Sequence, residues 1–279
     1  MNMQEYQEQL NDYRKHLRQE ERSQATIAQY SRDVCCFLNW SAGKPDQKET
    51  VIAYKAYLQS QYQATTVNAK LAAVNRFLYF VGRGDCRVKQ LRIQRQVYCS
   101  QDRELTKEDY RRLVEASRKK KNEKLALVLQ TICATGIRVS ELRFITVEAV
   151  DCGQAAIHLK GKNRMVLLPS KLRRVLREYI QRQHRSCGSV FVTRTGNPID
   201  RSNIWKAMKA LCQDARVDPQ KVFPHNLRHL FARCFYSIDK DIAKLADILG
   251  HSSIDTTRIY IISSGEEHRR RMDELELVE

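Results

Sequence analysis

The sequence predicts a mainly α fold of the α+β class, divided into two domains. Its length of 279 residues exceeds what a single hydrophobic core usually serves. Apolar residues recur at a period of about 3.6 through the first third of the chain, which predicts helices there. Farther along, one stretch alternates apolar and polar residues around a glycine and is flanked by more helical segments. We therefore expect a helical domain followed by a mixed helical domain with a small antiparallel sheet.

Residues 1–90 predict a bundle of four amphipathic helices. In the second helix, Ser23 is placed to cap the N-terminus, and apolar residues follow at helical spacing from Ile27 to Leu38. In the fourth helix, the predicted inward positions are Leu71, Val74, Phe77, Leu78 and Val81. Four such helices are enough for a small bundle. No residue pattern in this part indicates catalysis.

A basic linker is expected at residues 91–103, where the helical period lapses. The second domain, residues 104–279, opens with Thr106 and Asp109 at capping-box spacing. An apolar helix then ends at Gly136, and "AAIHLKGKNRMVLLP" predicts a hairpin with a glycine in its turn. Further helical segments follow along the rest of the chain.

The basic composition favours a polyanionic partner. Lys and Arg total 49 against 32 Asp and Glu, which gives a formal charge of +17. Nucleic acid is the leading candidate, and an anionic membrane surface is the alternative. No apolar run approaches the roughly 18 residues that a spanning helix needs, and the polar N-terminus does not fit a signal peptide. We therefore expect a soluble, cytoplasmic protein without a membrane partner.

Several cofactor signatures are absent from the sequence. There is no phosphate-binding loop of the G-x-x-x-x-G-K-[ST] type and no G-x-G-x-x-G, so neither ATP nor a dinucleotide is expected. No H-E-x-x-H or carboxylate cluster indicates a metal, and the nine cysteines show no C-x-x-C spacing. We expect no cofactor, and we expect most cysteines to be buried and reduced. Any cation at a functional site should come from Arg or Lys.

Two stretches are candidates for phosphate binding. In "ATGIRVSEL", Arg138 follows a glycine turn at a helix junction, and the alternative is an exposed ion pair with Glu141. In "HNLRHLFARCF", His225 and Arg228 project from one face near a helix N-terminus, where the dipole favours an anion. The alternative there is a solvated basic face. The neighbouring His229 is expected to point elsewhere and to be structural.

Further candidates also have ordinary alternatives. Lys160 and Lys162 lie at the predicted hairpin turn, where a lysine is normally a solvated edge charge. Tyr260 follows His251 by nine residues in "LGHSSIDTTRIYI", and a tyrosine in such a segment is commonly a packed helix residue. The joint occurrence of these residues with the two arginines favours a functional role.

These stretches resemble the motifs of the tyrosine recombinase family, the phage-integrase type of site-specific recombinase, in its simple Xer-like or mobile-element form. "ATGIRVSEL" resembles the first arginine box, "HNLRHLFARCF" the H-x-x-R box, and "LGHSSIDTTRIY" the segment that carries the nucleophile. "LTKEDYRRLVEAS" resembles the opening of the catalytic domain, and the N-terminal helices resemble the core-site-binding domain. The resemblance covers nearly the whole chain and keeps the motif order.

The resemblance implies that Tyr260 attacks the scissile phosphate, forms a 3′-phosphotyrosyl bond and releases a 5′-hydroxyl. It implies that Arg138 and Arg228 hold the non-bridging oxygens, with a hydrogen bond from His251. Assistance with proton transfer falls to His225. Because the phosphotyrosine keeps the energy of the broken bond, another 5′-hydroxyl can reseal it without ATP.

The group that protonates the 5′ oxygen is, by the resemblance, a lysine of the hairpin. The turn in "LKGKNRMVLLP" is one residue shorter than the usual G-K-G type, so Lys160 and Lys162 compete for this role, and we favour Lys160. A second departure is that Asn226 and Leu230 stand where small hydroxyl residues are frequent. We expect this departure to affect packing more than chemistry.

The resemblance also implies assembly on duplex DNA. Four copies on two recombination sites are expected to contact one another through the final helix, "EEHRRRMDELELV", in which Met272 and Leu275 form an apolar stripe. The alternative is that this helix packs on its own domain. The chain begins almost at the core-binding helices, which favours a recombinase with few accessory contacts. The implied tasks are integration or excision of a mobile element, or resolution or inversion of DNA; the alternatives are a non-catalytic DNA-binding regulator and a type IB-like topoisomerase.

Overall fold

The computed structural model describes residues 3–45, 47–93, 104–159, 162–261 and 273–275. The chain divides into two compact units, Met1–Arg95 and Gln96–Glu279. The division falls inside the expected linker 91–103, of which residues 94–103 lie outside the described ranges. Each unit has its own hydrophobic core.

The first unit consists of four helices, as predicted. They are α1 (Met3–Gln19), α2 (Gln24–Ser41), α3 (Lys48–Gln61) and α4 (Ala64–Phe80), followed by a 3₁₀ turn at Gly84–Cys86. Ser23 caps α2 by accepting a hydrogen bond from the backbone N–H of Thr26, a contact that stabilises a helix by about 1 kcal/mol. The residues predicted to point inward in α4 lie in the core, with Val81 at its edge.

The second unit is helical around one short sheet, as predicted. Its elements are α5 (Lys107–Lys119), α6 (Glu123–Thr135), a 3₁₀ turn (Val139–Phe144), α7 (Val147–Cys152), β1 (Gln154–Leu159), β2 (Lys162–Leu167), α8 (Ser170–Arg182), α9 (Arg201–Lys209), α10 (Cys212–Ala215), a 3₁₀ turn (Pro219–Lys221), α11 (Pro224–Ile238), α12 (Ile242–Leu249) and α13 (Ile254–Ile261). The predicted capping box of Thr106 and Asp109 begins α5.

The strands β1 and β2 form the predicted antiparallel hairpin, in which Gln154 pairs with Leu167 and Leu159 with Lys162. The inward face packs Ala155, Ile157 and Val166 into the core. The turn residues 160–161 lie outside the described ranges. Lys160 is thus assigned to the turn from the sequence alone, and Lys162 is the first residue of β2.

Two helix ends place backbone groups at the later site. Gly136 ends α6 with φ +65°, and a Cβ there would collide with the Phe231 ring of α11. Gly250 ends α12 with φ +66°. The short helices α12 and α13 pack on α11 around a small cluster of Ala232, Leu245, Leu249 and Tyr260. The carbonyls at the ends of α6 and α12 are thereby directed toward α11.

The expectation for the cysteines is contradicted, whereas the expectation for the final helix is not tested by the described residues. The expectation that most cysteines are buried is wrong for the described residues: only Cys86 and Cys212 are buried, whereas Cys36, Cys152 and Cys187 are exposed. The predicted final helix lies almost entirely outside the described residues, which there include only 273–275. Within the described ranges, no helix combines the length and apolarity needed to cross a bilayer.

Candidate active site

Helix α11 positions three site residues near its N-terminus. It begins at Pro224, whose ring fits the first helical position because no hydrogen-bond donor is needed there. His225, Arg228 and His229 follow at spacings of three and four, which bring them to neighbouring positions on one side of the helix. Tyr260 of α13 lies against the same side, in ring contact with both histidines.

Arg228 is the most deeply buried charged residue of the site, with 1% of its surface exposed. Its Nη1 donates to the carbonyl of Gly136 at 2.6 Å, and its Nη2 donates to the carbonyl of Leu249 at 2.7 Å and to Nε2 of His251 at 2.9 Å. Burial and the nearby charge of Arg138 lower the pKa of Arg228 to about 10. The guanidinium therefore stays charged at neutral pH.

The tautomer of His251 follows from its two partners. A guanidinium only donates, so Nε2 of His251 must accept the bond from Arg228. The proton of the neutral ring then sits on Nδ1, which donates to Oγ1 of the fully buried Thr257 at 2.8 Å. Burial, followed by the charges of Arg228 and Arg138, lowers the pKa of His251 to about 4. His251 is accordingly neutral at pH 7.

Tyr260 is 5% exposed and is surrounded by imidazole rings. Its hydroxyl lies 3.5 Å from Nε2 of His225. Its ring is 5.4 Å from the ring of His251, with the two planes within 13° of each other. The ring of His229 is closer still, at 4.2 Å. The tyrosine is thus packed as a core residue while its hydroxyl reaches a histidine nitrogen.

His229 corrects an expectation. It was expected to point away from the other candidates, but its ring lies 4.2 Å from that of Tyr260 and 4.7 Å from that of His225. The reason is helical spacing, because residues four apart lie one above the other. Burial, then His225 and Arg228, lower the pKa of His229 to about 4. It is therefore a neutral side wall of the tyrosine site.

His225 is the exposed member of the group. Partial desolvation, followed by the positive charges of Arg228, Arg138 and Arg201, lowers the pKa of its imidazole below the usual 6.5. Its neutral form, which can accept a proton at Nε2, therefore dominates at neutral pH. The positive charges around His225 therefore favour its uncharged form.

Arg138 forms the ion pair with Glu141 that the sequence offered as the alternative to phosphate binding. Its Nη1 lies 3.0 Å from Oε1 of Glu141, and its backbone N–H donates to Oε2 at 2.7 Å. The pair is not simply a surface feature, because Glu141 is only 2% exposed while 41% of the Arg138 side chain is open. Glu141 thus holds one edge of the guanidinium and leaves the rest accessible.

Arg164 of β2 is a part of the site that the sequence analysis missed. Its Nη2 donates to Oε2 of Glu141 at 2.6 Å, and its Nη1 donates to the carbonyl of Ile248. Burial alone would raise the pKa of Glu141, but bonds and charges from Arg138 and Arg164 outweigh it and lower that pKa. The missed signal was register: Arg164 pairs with the inward-facing Ile157, so its side chain points toward the core.

The structure does not distinguish between the two candidate lysines. Lys160 lies outside the described residues, as does the side chain of Lys162. Their roles remain predictions from the sequence. Within the described ranges, no group of three or more His, Cys, Asp and Glu side chains is placed to hold a metal ion.

The assembled group suits chemistry on a phosphate diester. Arg138 and Arg164 pair with the buried carboxylate of Glu141, and Arg228 is near enough to feel the same charge, so these four residues carry a net positive charge that an anion can neutralise. A tyrosine hydroxyl lies beside a neutral histidine that can accept its proton. The cluster therefore combines the residue types that a nucleophile, a base and electrostatic stabilisers require.

Comparisons with known proteins give a consistent result. Residues 103–267 match the model of the phage integrase family, and residues 10–83 match the N-terminal SAM-like domain of phage integrases. The chain is 28% identical over 288 residues to "Tyrosine recombinase XerA" of Thermococcus kodakarensis, covering 99% of this chain and 98% of that protein. It is 26% identical over 260 residues to "Tyrosine recombinase XerD" of Halalkalibacterium halodurans, covering 85% and 87%.

Solved structures share the fold. A lambda integrase fragment (75–356), crystallised as a dimer bound to a COC′ core site, aligns with a TM-score of 0.73 at 13% identity, covering 91% of this chain and 94% of that one. The XerH site-specific recombinase, bound to its difH substrate in a pre-cleavage complex, aligns with a TM-score of 0.69 at 17% identity, covering 90% and 80%. Since the first family match spans more than half of the chain and includes the whole described site, the chain belongs to the phage integrase family of tyrosine recombinases.

Proposed function

We propose that the protein is a site-specific DNA recombinase in which Tyr260 is the nucleophile. The observation that carries this proposal is the position of the Tyr260 hydroxyl, 3.5 Å from Nε2 of His225, on the helix that also carries Arg228. A tyrosine kept only for packing needs no such neighbours. The product of attack is a 3′-phosphotyrosyl bond, and the leaving group is a 5′-hydroxyl.

Proton removal is the first requirement of this reaction. A free tyrosine has a pKa near 10, so only about one molecule in a thousand is phenolate at neutral pH. His225 is neutral at this pH and its Nε2 faces the hydroxyl, so it can accept the proton as the O–P bond forms. The distance of 3.5 Å is long for a hydrogen bond and has to shorten when DNA binds.

Charge stabilisation is the second requirement. The exposed part of the Arg138 guanidinium is open to a non-bridging oxygen. Nε of Arg228 is buried and has no hydrogen-bond partner within the described residues, so it is the donor left for a phosphate that enters the site. For His251 to donate from Nε2, its proton has to move there from Nδ1, and a phosphate anion beside it favours that tautomer. Fixed cations take the role that a metal ion has in other phosphoryl-transfer sites.

Departure of the 5′ oxygen is the third requirement. We assign its protonation to Lys160, which directly follows β1 in the sequence, with Lys162 as the competing residue; neighbouring cations can lower the pKa of a lysine and allow it to act as an acid. The phosphotyrosine keeps the energy of the broken diester bond. A 5′-hydroxyl of another strand can therefore attack it and restore the DNA without a nucleotide cofactor.

The assembly we propose is a tetramer on two recombination sites in duplex DNA. The formal charge of +17 supports DNA as the partner, because lysines and arginines release counterions from the phosphate backbone. Lambda integrase, whose fold this chain shares, has been solved as a tetramer bound to a Holliday junction, with a TM-score of 0.73 at 14% identity. Contact between copies through the final helix, and a cytoplasmic location, belong to this proposal as well.

The alternatives have less support. A DNA-binding regulator without catalytic activity has no need of Arg138, Arg228 and Tyr260 in one cluster. A type IB-like topoisomerase is less consistent with relatives that are tyrosine recombinases over nearly their full length. Integration, excision and resolution share the same chemistry, and the proposal covers all of them.

Trapping of the covalent intermediate tests the proposal. Covalent complexes recovered from genomic DNA identify the cleaved sequence, which is then made as a duplex with a nick beside the scissile phosphate, so that cleavage releases a short strand and cannot be reversed. Wild-type protein should accumulate a covalent complex and Tyr260→Phe should not. Tyr236→Phe is the matched control, because Tyr236 packs on the same small cluster but is not in the described ring contacts of Tyr260. Equal trapping by Tyr260→Phe and wild type would refute the assignment.

A further inference from the structure

The end of helix α12 is held by two arginines from other elements. A helix leaves its last four carbonyls without partners inside the helix. Here the turn satisfies two of them, because the backbone N–H groups of Gly250 and His251 donate to Asp247 and Ala246 at 2.9 and 3.0 Å. The remaining two accept from side chains: Ile248 from Arg164 and Leu249 from Arg228. The turn that presents His251 is thus fixed from outside the helix.

Arg164 connects this turn to the opposite side of the site. One terminal nitrogen bonds the Ile248 carbonyl and the other bonds Oε2 of Glu141 at 2.6 Å. Glu141 in turn holds the guanidinium and backbone of Arg138. A single side chain, 13% exposed, therefore links the hairpin to both a phosphate-binding arginine and the segment that carries His251.

Gly250 provides the space that this connection needs. A Cβ on Gly250 would overlap Cδ of Arg164 and lie 2.9 Å from its Nε. The positive φ of +66° independently disfavours any other residue. The glycine before His251 is required both by its own backbone and by the arginine that passes over it.

We propose that Arg164 is a positioning residue for DNA cleavage. It fixes the position of the Arg138 guanidinium through Glu141, and it fixes the turn that presents His251 through the carbonyl of Ile248. This inference rests on the proposed function. Lysine cannot replace it, because one ammonium lacks the planar fork that reaches two acceptors in different directions. Without the bond from Arg164, the carboxylate of Glu141 has only Arg138 as a cationic partner and draws it away from the phosphate. A displacement of about 1 Å in such a group slows a reaction roughly 100-fold.

The chain contains a matched control for this contact. Arg173 of α8 passes over Gly153, which ends α7 with φ +81°, and donates to the carbonyls of Val150 at 3.0 Å and Asp151 at 2.6 Å. The geometry repeats that of Arg164 and Gly250. None of the contacts of Arg173 within the described ranges involves a residue of the candidate site. Arg173→Lys and Gly153→Ala therefore report the general cost of disturbing such a helix end.

Single-turnover cleavage of the nicked duplex, with enzyme in excess, tests the inference. We expect Arg164→Lys to cleave roughly 10- to 100-fold more slowly than Arg173→Lys, with DNA affinity and thermal stability similar in the two variants. A duplex with a methylphosphonate at the scissile position carries less charge for Arg138 to neutralise. On it, the deficit of Arg164→Lys should shrink by roughly threefold or more, which a purely structural defect does not predict.

The outcomes separate the two proposals. If wild-type protein never forms the covalent complex, the proposed function fails. If wild type does but Arg164→Lys and Arg173→Lys cleave at rates within about twofold, the positioning role is refuted. Where Arg164→Lys does not fold, the pair Gly250→Ala and Gly153→Ala decides, compared at a temperature where both remain folded. A selective loss of cleavage in Gly250→Ala supports the inference, and equal cleavage overturns it.

Discussion

The Tyr260 hydroxyl lies 3.5 Å from Nε2 of His225, although the two residues are 35 positions apart in the chain. Helix α11 supplies the histidine and helix α13 supplies the tyrosine. Between them, Arg228 of α11 bonds the ends of α6 and α12 through the carbonyls of Gly136 and Leu249.

The rate of cleavage should depend on the protonation of His225. Desolvation and nearby arginines lower its pKa below 6.5, so the neutral, proton-accepting form persists to lower pH than for a free histidine. Cleavage should therefore be insensitive to pH from about 6.5 to 8 and should decline as the pH falls below that range. His225→Gln should be slower by about 100-fold and should lose this acidic decline. A decline that persists unchanged in His225→Gln assigns it to another group.

The second unit should become less stable in acid because of His229 and His251. Both have a pKa of about 4 in the folded protein, against about 6.5 when unfolded. Between pH 6.5 and 4 the unfolded chain binds protons that the folded chain does not, so the free energy of unfolding falls as the pH falls. Urea denaturation at pH 7 and pH 5 measures this. His229→Phe should reduce the pH dependence, and substitution of the exposed His184 by Asn should leave it unchanged.

The choice between Lys160 and Lys162 can be made with a modified leaving group. A 5′-bridging sulfur departs without needing a proton, so it relieves the loss of a general acid but not the loss of a phosphate contact. We expect Lys160→Met to cleave the oxygen substrate at least about 100-fold more slowly than wild type and to approach wild-type rates on the sulfur substrate. Lys162→Met should be close to wild type on both. If instead Lys162→Met shows the loss and the rescue by sulfur while Lys160→Met stays close to wild type, the role belongs to Lys162.

Thr257 should act through the tautomer of His251. Its Oγ1 accepts the Nδ1–H bond at 2.8 Å from a position with no exposed surface. Thr257→Val keeps the shape but leaves Nδ1 without a partner, at a cost of about 1 to 3 kcal/mol for a buried polar group. Cleavage should slow by roughly tenfold, and Thr257→Ser should restore most of the rate, because it retains the hydroxyl. Equal rates for the valine and serine variants would mean that the hydroxyl is not used.

Local sequence patterns were sufficient for the elements but not for all of the site. The helices and the hairpin follow from hydrophobic period, caps and the turn glycine, which act between near neighbours. The sequence singled out Arg138, Arg228, His251 and Tyr260 as candidates because their motifs are long. Their placement as a cluster could not be derived, since Arg228 is held by two backbone carbonyls 92 and 21 residues away.

Arg164 and His229 show what sequence reasoning overlooked. Arg164 resembles any strand arginine until the register pairs it with the buried Ile157, and its partners, Glu141 and Ile248, are 23 and 84 residues distant. His229 was set aside because it adjoins Arg228 in sequence, although its spacing of four from His225 brings the two rings into contact. The side chains of adjacent helical residues point in different directions, but those of residues three and four positions after a given residue both lie on its face of the helix.

The identity of the nucleophile is the central claim, and the covalent bond itself tests it most directly. The trapped complex is digested with nuclease and protease, and the peptide that keeps a nucleotide is sequenced by mass spectrometry. The account predicts that the nucleotide mass lies on Tyr260 in the segment "IDTTRIYI", joined through a 3′-phosphate. A nucleotide on any other residue, or a 5′-phosphate linkage, would contradict it.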